Sequence, residues 1–172
     1  MSRGKASIDS IPVSSFMAAN VKAETADQSI HAACKIMHKN NIGSVIVVKE
    51  YTTEPVGIIT ERDLVRIIGS SDISLLHLPL RELMSKPLIS ISPNSSIKDA
   101  LHAMQLNKIR RLPVAKEGNI LVGIITDKDV FRAIMENQDL VATLPNEEFF
   151  RGNKPLLSQL GEHMFTNIFP PH

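Results

Sequence analysis

Tryptophan is absent from this chain of 172 residues, and aromatic residues make up 4% of it. That is too little for a platform on which single-stranded nucleic acid stacks. An excess of one charge is missing as well. Nineteen Lys and Arg stand against 18 Asp and Glu, a formal net charge of +1 with no long basic run, so a nucleic-acid partner is not expected. Cys34 is the only cysteine, which excludes an internal disulfide and a cysteine-rich zinc site. It lies in a helical pattern and reads as a small packed residue. No apolar run approaches the roughly 18–20 residues that span a bilayer, and the polar stretch 1–10 has no signal-peptide core. No membrane association is expected, and the expected location is cytoplasmic.

Catalytic signatures are missing too. Neither a Gly-x-x-x-x-Gly-Lys-Ser/Thr phosphate loop nor a Gly-x-Ser-x-Gly elbow occurs. The six histidines, His31, His38, His77, His102, His163 and His172, are scattered. His31 and His38 fall on one helix face but have no carboxylate or cysteine support, so no metal site is expected. The chain is expected not to be an enzyme and to need no cofactor.

What the sequence has is a repeat. Shifted by 67 positions, Met17 falls on Met84, Ser29 on Ser96, Ile30 on Ile97, Ala33 on Ala100, Met37 on Met104, Asn40 on Asn107 and Val47 on Val114. Beyond one extra residue in the polar loop at Tyr51–Glu54, the shift is 66. Gly57, Ile58, Ile59, Thr60 and Asp63 then fall on Gly123, Ile124, Ile125, Thr126 and Asp129. A unit of roughly 60 residues is duplicated.

Each copy has the same order of elements. An extended stretch (Val21–Thr25 or Leu88–Ser92) leads to a helix start where Asp27 or Asn94 can cap, with Ser29 or Ser96 close behind. Ile30, Ala33, Cys34 and Met37, and Ile97, Leu101 and Met104, recur at helical spacing. A β-branched run around Val45–Val48 or Leu112–Val114, a hairpin loop, and a second strand ending at Thr60 or Thr126 follow. Leu64, Val65, Ile67 and Ile68, or Val130, Phe131, Ile134 and Met135, mark the apolar face of a second helix. The expected fold class is α/β (α+β): tandem units, each a small three-stranded sheet with two helices. One such unit is too small to bury its apolar face alone, a physical reason for two. The expected segments are a polar lead 1–10, a first motif 11–72, a linker and second motif 73–137, and a tail 138–172.

The strongest constellation is Gly57-Ile58-Ile59-Thr60-Glu61-Arg62-Asp63, repeated as Gly123-Ile124-Ile125-Thr126-Asp127-Lys128-Asp129. A strand runs into a helix N-terminus, where unpaired N–H groups form a ready anion site. The Thr hydroxyl adds a donor, and Arg62 or Lys128 adds a cation. The Asp one turn on can accept two hydrogen bonds from a ribose diol. A glycine within a strand marks a close approach to the backbone. A plain Thr cap with an acidic first turn would need no ligand, but it recurs at matching positions.

These residues resemble the CBS (cystathionine-β-synthase) domain family, and the two copies together resemble a Bateman module. The resemblance rests on Met17 and Met84, on Ile109–Val114 and on both Gly-Ile-Ile-Thr-x-x-Asp segments, and it covers about residues 12 to 137. It implies motifs packed with pseudo-twofold symmetry and clefts that bind AMP, ADP, ATP or S-adenosylmethionine. It implies that Asp63 with Thr60, and Asp129 with Thr126, hold ribose and phosphate. Val21 and Ala23, or Leu88 and Ser90, would line the adenine pocket. Gly43 and Ser44, or Arg110 and Arg111 followed by Pro113, would supply the central-strand edge. The Arg pair makes the second copy the expected tighter site for a phosphate-rich ligand.

The expected function is a regulatory adenine-nucleotide sensor acting on an unidentified partner protein, working as a homodimer. The alternative is a ligand-free interaction scaffold that uses the tail. That tail holds four of the six phenylalanines and is too apolar for a disordered segment. Pro155 can open a short helix in it, through Gly161.

Overall fold

The computed structural model describes residues 9–70 and 72–136; the expectations for residues 1–8 and for the tail, including a helix from Pro155, lie outside them. In chain order the elements are β1 (Ala23–Thr25), α1 (Ile30–Asn40), β2 (Ser44–Val48), β3 (Pro55–Thr60), α2 (Glu61–Gly69), α3 (Leu80–Leu83), α4 (Ile97–Asn107), β4 (Arg111–Lys116), β5 (Ile120–Thr126) and α5 (Asp127–Glu136). Short 3-10 turns at Val13–Ser15 and Ile73–His77 precede β1 and α3. The mixed α/β class with small sheets is as the sequence implies.

Residues cluster into two compact units, each assembled from separated stretches of chain. One holds Ala18–Ile91 and Pro113–Ile124; the other holds Ser92–Leu112 with the described residues up to Met17 and from Ile125 onward. In the first unit β2 lies between β1, parallel, and β3, antiparallel. Its residues Val45 to Val48 are all buried, as a central strand covered on both faces requires. Ile30, Ala33 and Met37 of α1 recur at helical spacing and pack with Val45, Val47, Ile59, Ile67 and Leu80. In the other unit Ile97, Ala100, Leu101 and Met104 of α4 and Val130, Ala133 and Ile134 of α5 are buried.

The duplication extends to the caps. Ser29 and Ser96 are the N-cap residues, accepting from Ala32 N at 3.2 Å and Asp99 N at 3.0 Å. Asp27 and Asn94 do not cap. Asp27 pairs with Arg81, and the Asn94 N–H donates to Ser92 Oγ. Both helices end on a left-handed residue, Asn41 or Lys108, whose N–H returns to the last turn.

The leading segment of each copy docks on the other copy. Val13 N donates to Ser95 O, and Leu80 N, 67 residues on, donates to Gln28 O, both at 2.8 Å. Ala18 exchanges two main-chain hydrogen bonds with Ile124, as Ser85 does with Ile58. Val13 and Leu80 are both fully buried, each worth about 2 kcal/mol of apolar transfer.

Two further expectations need correction. The second copy has no third strand. β4 and β5 form a two-stranded sheet, and Leu88–Ser92 contributes one bridge, Ile91 to Val114. The cause is Pro113. In the first copy Ile46 N donates to Lys22 O; Pro113 occupies the equivalent position and has no N–H to give. Second, α2 does not bury its whole apolar stripe. Ile67 is buried, but Val65 and Ile68 are 68% and 64% exposed.

Gly57 lies in β3 where Met84 and its neighbour cross. A Cβ there would lie 2.8 Å from Met84 Cγ and 3.1 Å from Ser85 O. The close approach read from the glycine is therefore made by the protein itself. Gly57→Ala should cost about 1–3 kcal/mol in urea denaturation, with part of the loss recovered by adding Met84→Ala. An unchanged midpoint in the single variant would contradict this packing.

Candidate functional site: two Thr–Asp turns at helix N-termini

β3 delivers Thr60 to the start of α2, and β5 delivers Thr126 to the start of α5. In each case the Asp three residues on folds back. Asp63 Oδ2 accepts from Thr60 N at 2.9 Å and Thr60 Oγ1 at 2.7 Å. Asp129 Oδ2 accepts from Thr126 N and Oγ1 at the same two distances. Both turns are capping boxes in which the acidic side chain serves the helix start. One carboxylate oxygen of each Asp is thus committed before any ligand arrives.

The free N–H groups expected at these helix starts are largely taken. Glu61 N donates to Gly43 O at 3.2 Å, and Asp127 N donates to Arg110 O at 2.9 Å. In the second copy Lys128 N donates to Asp127 Oδ1, and Asp129 N donates to Thr126 Oγ1. The anion site read from the sequence is therefore closed by the protein at α5. At α2 the Arg62 N–H has no protein partner among the described residues.

The first-copy residues converge. Ser44 opens β2 and pairs with Thr60, and Gly43 meets Glu61. Ala23 opens β1 opposite Ile46, and the chain leading into it carries half-buried Val21 toward the same end of the sheet. Arg62 is exposed beside them. In the second copy Arg110, Arg111, Thr126, Lys128 and Asp129 share one unit, whereas Leu88, Ser90 and Pro113 belong to the other. There Leu88 is half-buried, Ser90 is exposed and Pro113 is buried, its carbonyl accepting from Ile91 N at 3.0 Å.

Sequence reading missed three side chains. Asp127, only 8% exposed, is held by Arg110 Nε at 2.7 Å. The first copy has Gly43 and Glu61 at those positions and no such pair. Arg132 donates through Nη2 to Asp129 Oδ1 at 3.2 Å and to Phe16 O at 3.0 Å, and its guanidinium lies 5.9 Å from the centre of the Phe16 ring. An Arg three residues after an Asp on a helix was the available signal. No group of three metal-ligating side chains occurs among the described residues, and no described helix is long and apolar enough to cross a membrane. Burial pushes the Cys34 thiol up, against a smaller lowering by a backbone hydrogen bond.

The sequence pattern of the CBS domain matches residues 13–70 and again residues 80–136. The chain belongs to the CBS domain family. Among its relatives in this family, the CBS domain-containing protein YhcV of Bacillus subtilis is 32% identical over 134 residues, 78% of this chain and 93% of that protein. Protein MK0525 of Methanopyrus kandleri is 37% identical over 111 residues, 64% of this chain; the chain spans 55% of that protein's length. Two solved structures show the same fold. One is the CBS domain pair of protein MJ0100 in complex with 5′-methylthioadenosine and S-adenosyl-L-methionine. It has a TM-score of 0.65 and 24% identity, and covers 73% of this chain and 96% of its own. The other is CBSX2 in complex with AMP, also at 0.65, with 22% identity, covering 74% and 98%.

Arg110 tests the electrostatics of the second turn. Arg110→Ala leaves the nearly buried Asp127 carboxylate with only its neighbouring N–H, and should cost about 1–3 kcal/mol of stability. Urea midpoints compared with an Arg62→Ala control, whose exposed side chain has no partner among the described residues, would check it. Equal shifts would contradict the pairing.

Proposed function

We propose that this chain is a regulatory module that senses an adenine nucleotide (AMP, ADP, ATP or S-adenosylmethionine) and reports it to a partner protein. One observation carries the reading. A Thr hydroxyl and an Asp carboxylate are locked together at a strand-to-helix turn, and the arrangement recurs at the matching place in the second copy. Ser96 and Asp99 make the same box at α4; the two Thr–Asp turns differ from it in standing where a strand runs directly into a helix, at the same place in both copies. Support also comes from the relatives of this fold, the MJ0100 pair and CBSX2, which hold adenosine-containing compounds in their solved structures.

At the first turn, the outer oxygen of Asp63 accepts from the ribose diol. Thr60, the Arg62 N–H and the Arg62 side chain face the phosphate. Val21 and Ala23 flank the base, and the Gly43–Ser44 backbone offers hydrogen-bonding edges to it. At the second turn, Asp129 and Thr126 take the same roles, with Lys128, Arg110 and Arg111 as cations. The module is a binding protein rather than an enzyme and works in the cytoplasm as a homodimer, the commonest symmetric assembly. Ligand shifts its conformation only by the difference in affinity between two forms, and the partner reads that shift.

Calorimetric titration of the purified chain with AMP, ADP, ATP and S-adenosylmethionine tests the reading. One of the four should bind with a Kd on the order of micromolar. Asp63→Asn, which keeps an acceptor for the cap but loses the charge, should weaken binding at the first turn about tenfold to a hundredfold. No heat with any of the four, on folded protein freed of co-purified nucleotide, would overturn the sensor reading in favour of the interaction scaffold.

A further inference from the structure

The two turns differ in what holds the second carboxylate oxygen. At Asp63, Oδ1 faces Arg66 Nη1 at 3.8 Å, too far for a hydrogen bond, and the Arg66 side chain is 72% exposed. At Asp129, Oδ1 accepts directly from Arg132 at 3.2 Å. Arg132 is itself tethered twice more, by the Phe16 carbonyl at 3.0 Å and by the Phe16 ring beneath its guanidinium. Leu83 is the second-copy counterpart of Phe16 at the 67 shift, and Arg66 has no aromatic ring to lie on among the described residues.

We propose that Arg132, anchored by Phe16, is a specificity-determining residue that occupies the ribose-accepting oxygen of Asp129 and makes the Asp63 turn the higher-affinity nucleotide site. The inference rests on the sensor reading above and reverses the order of the two sites expected from the Arg110–Arg111 pair. The chemistry is direct competition. A carboxylate that serves a cap through Oδ2 and a guanidinium through Oδ1 must give up the guanidinium before it can accept from a diol. The Asp63 carboxylate has one oxygen to give, and the Arg62 N–H, without a partner among the described residues, lies on the same turn. At α5 the corresponding Lys128 N–H is spent on Asp127. Both differences act in the same direction. Phe16 stands in the leading segment of the first copy, so the second turn is restrained by the segment that leads into the first.

The test is calorimetry of the full chain with AMP, ATP and S-adenosylmethionine in an Asp63→Asn background, where the second turn is the remaining intact site. Adding Arg132→Gln to that background should tighten binding roughly threefold to tenfold. Adding Phe16→Leu, which removes the ring but keeps the Arg, should give a smaller gain. A merely structural role for Arg132 would give a loss, or no change. Binding by the wild-type chain with no gain in either double variant overturns this inference and leaves the sensor reading standing. No binding of any of the three compounds by the wild type or the variants overturns both.

Discussion

Main-chain exchange between Ala18 and Ile124, and between Ile58 and Ser85, is the constraint on which the rest of the fold hangs. Each copy alone offers a small sheet and two helices with too little apolar surface to close over itself. Its leading segment therefore leaves it and closes the other copy, seating Val13 or Leu80 at a helix start that is not its own. The duplication is visible in these bonds as well as in the side chains. The bounds, Ser caps and left-handed ends of α1 and α4 coincide at a shift of 67, as do their buried residues Ile30 and Ile97, Ala33 and Ala100, and Met37 and Met104.

The candidate site grows out of the same economy. Strand β3 ends where α2 begins, so Thr60 is at once the last strand residue and the cap, and Asp63 is at once cap partner and candidate ligand group. A carboxylate so placed is held in one rotamer by two short hydrogen bonds, which removes the entropic cost of ordering it when a ligand arrives. The restriction is that half of its accepting capacity is already used. On the proposed reading, the neighbour of the other oxygen decides whether such a turn can read a diol. The two copies differ there, at Arg66 and Arg132, rather than in the motif itself.

Much of the fold was legible in the sequence because the repeat made each reading twice. Element order, the β3–α2 and β5–α5 junctions and the Thr–Asp pairs all follow from aligned residues. Three things were not legible. The missing strand in the second copy depends on a single absent N–H at Pro113, which reads in the sequence only as part of a β-like run. The exposure of Val65 and Ile68 depends on what covers α2, and helical spacing does not encode that. The burial of Asp127 under Arg110, and the capture of Asp129 by Arg132 and Phe16, join residues far apart in the chain. Phe16 and Arg132 are separated by 116 positions, so no local pattern could pair them.

On the proposed reading, an Asp carboxylate already serving as a helix cap also reads a ribose diol. The most direct measurement compares the affinity of the wild-type chain for AMP and for 2′-deoxy-AMP, which differ only in one hydroxyl of that diol. The deoxy compound should bind about tenfold or more weakly, the worth of a hydrogen bond to a charged group. Equal affinity for the two would contradict it, because the diol would then not be what these turns recognise.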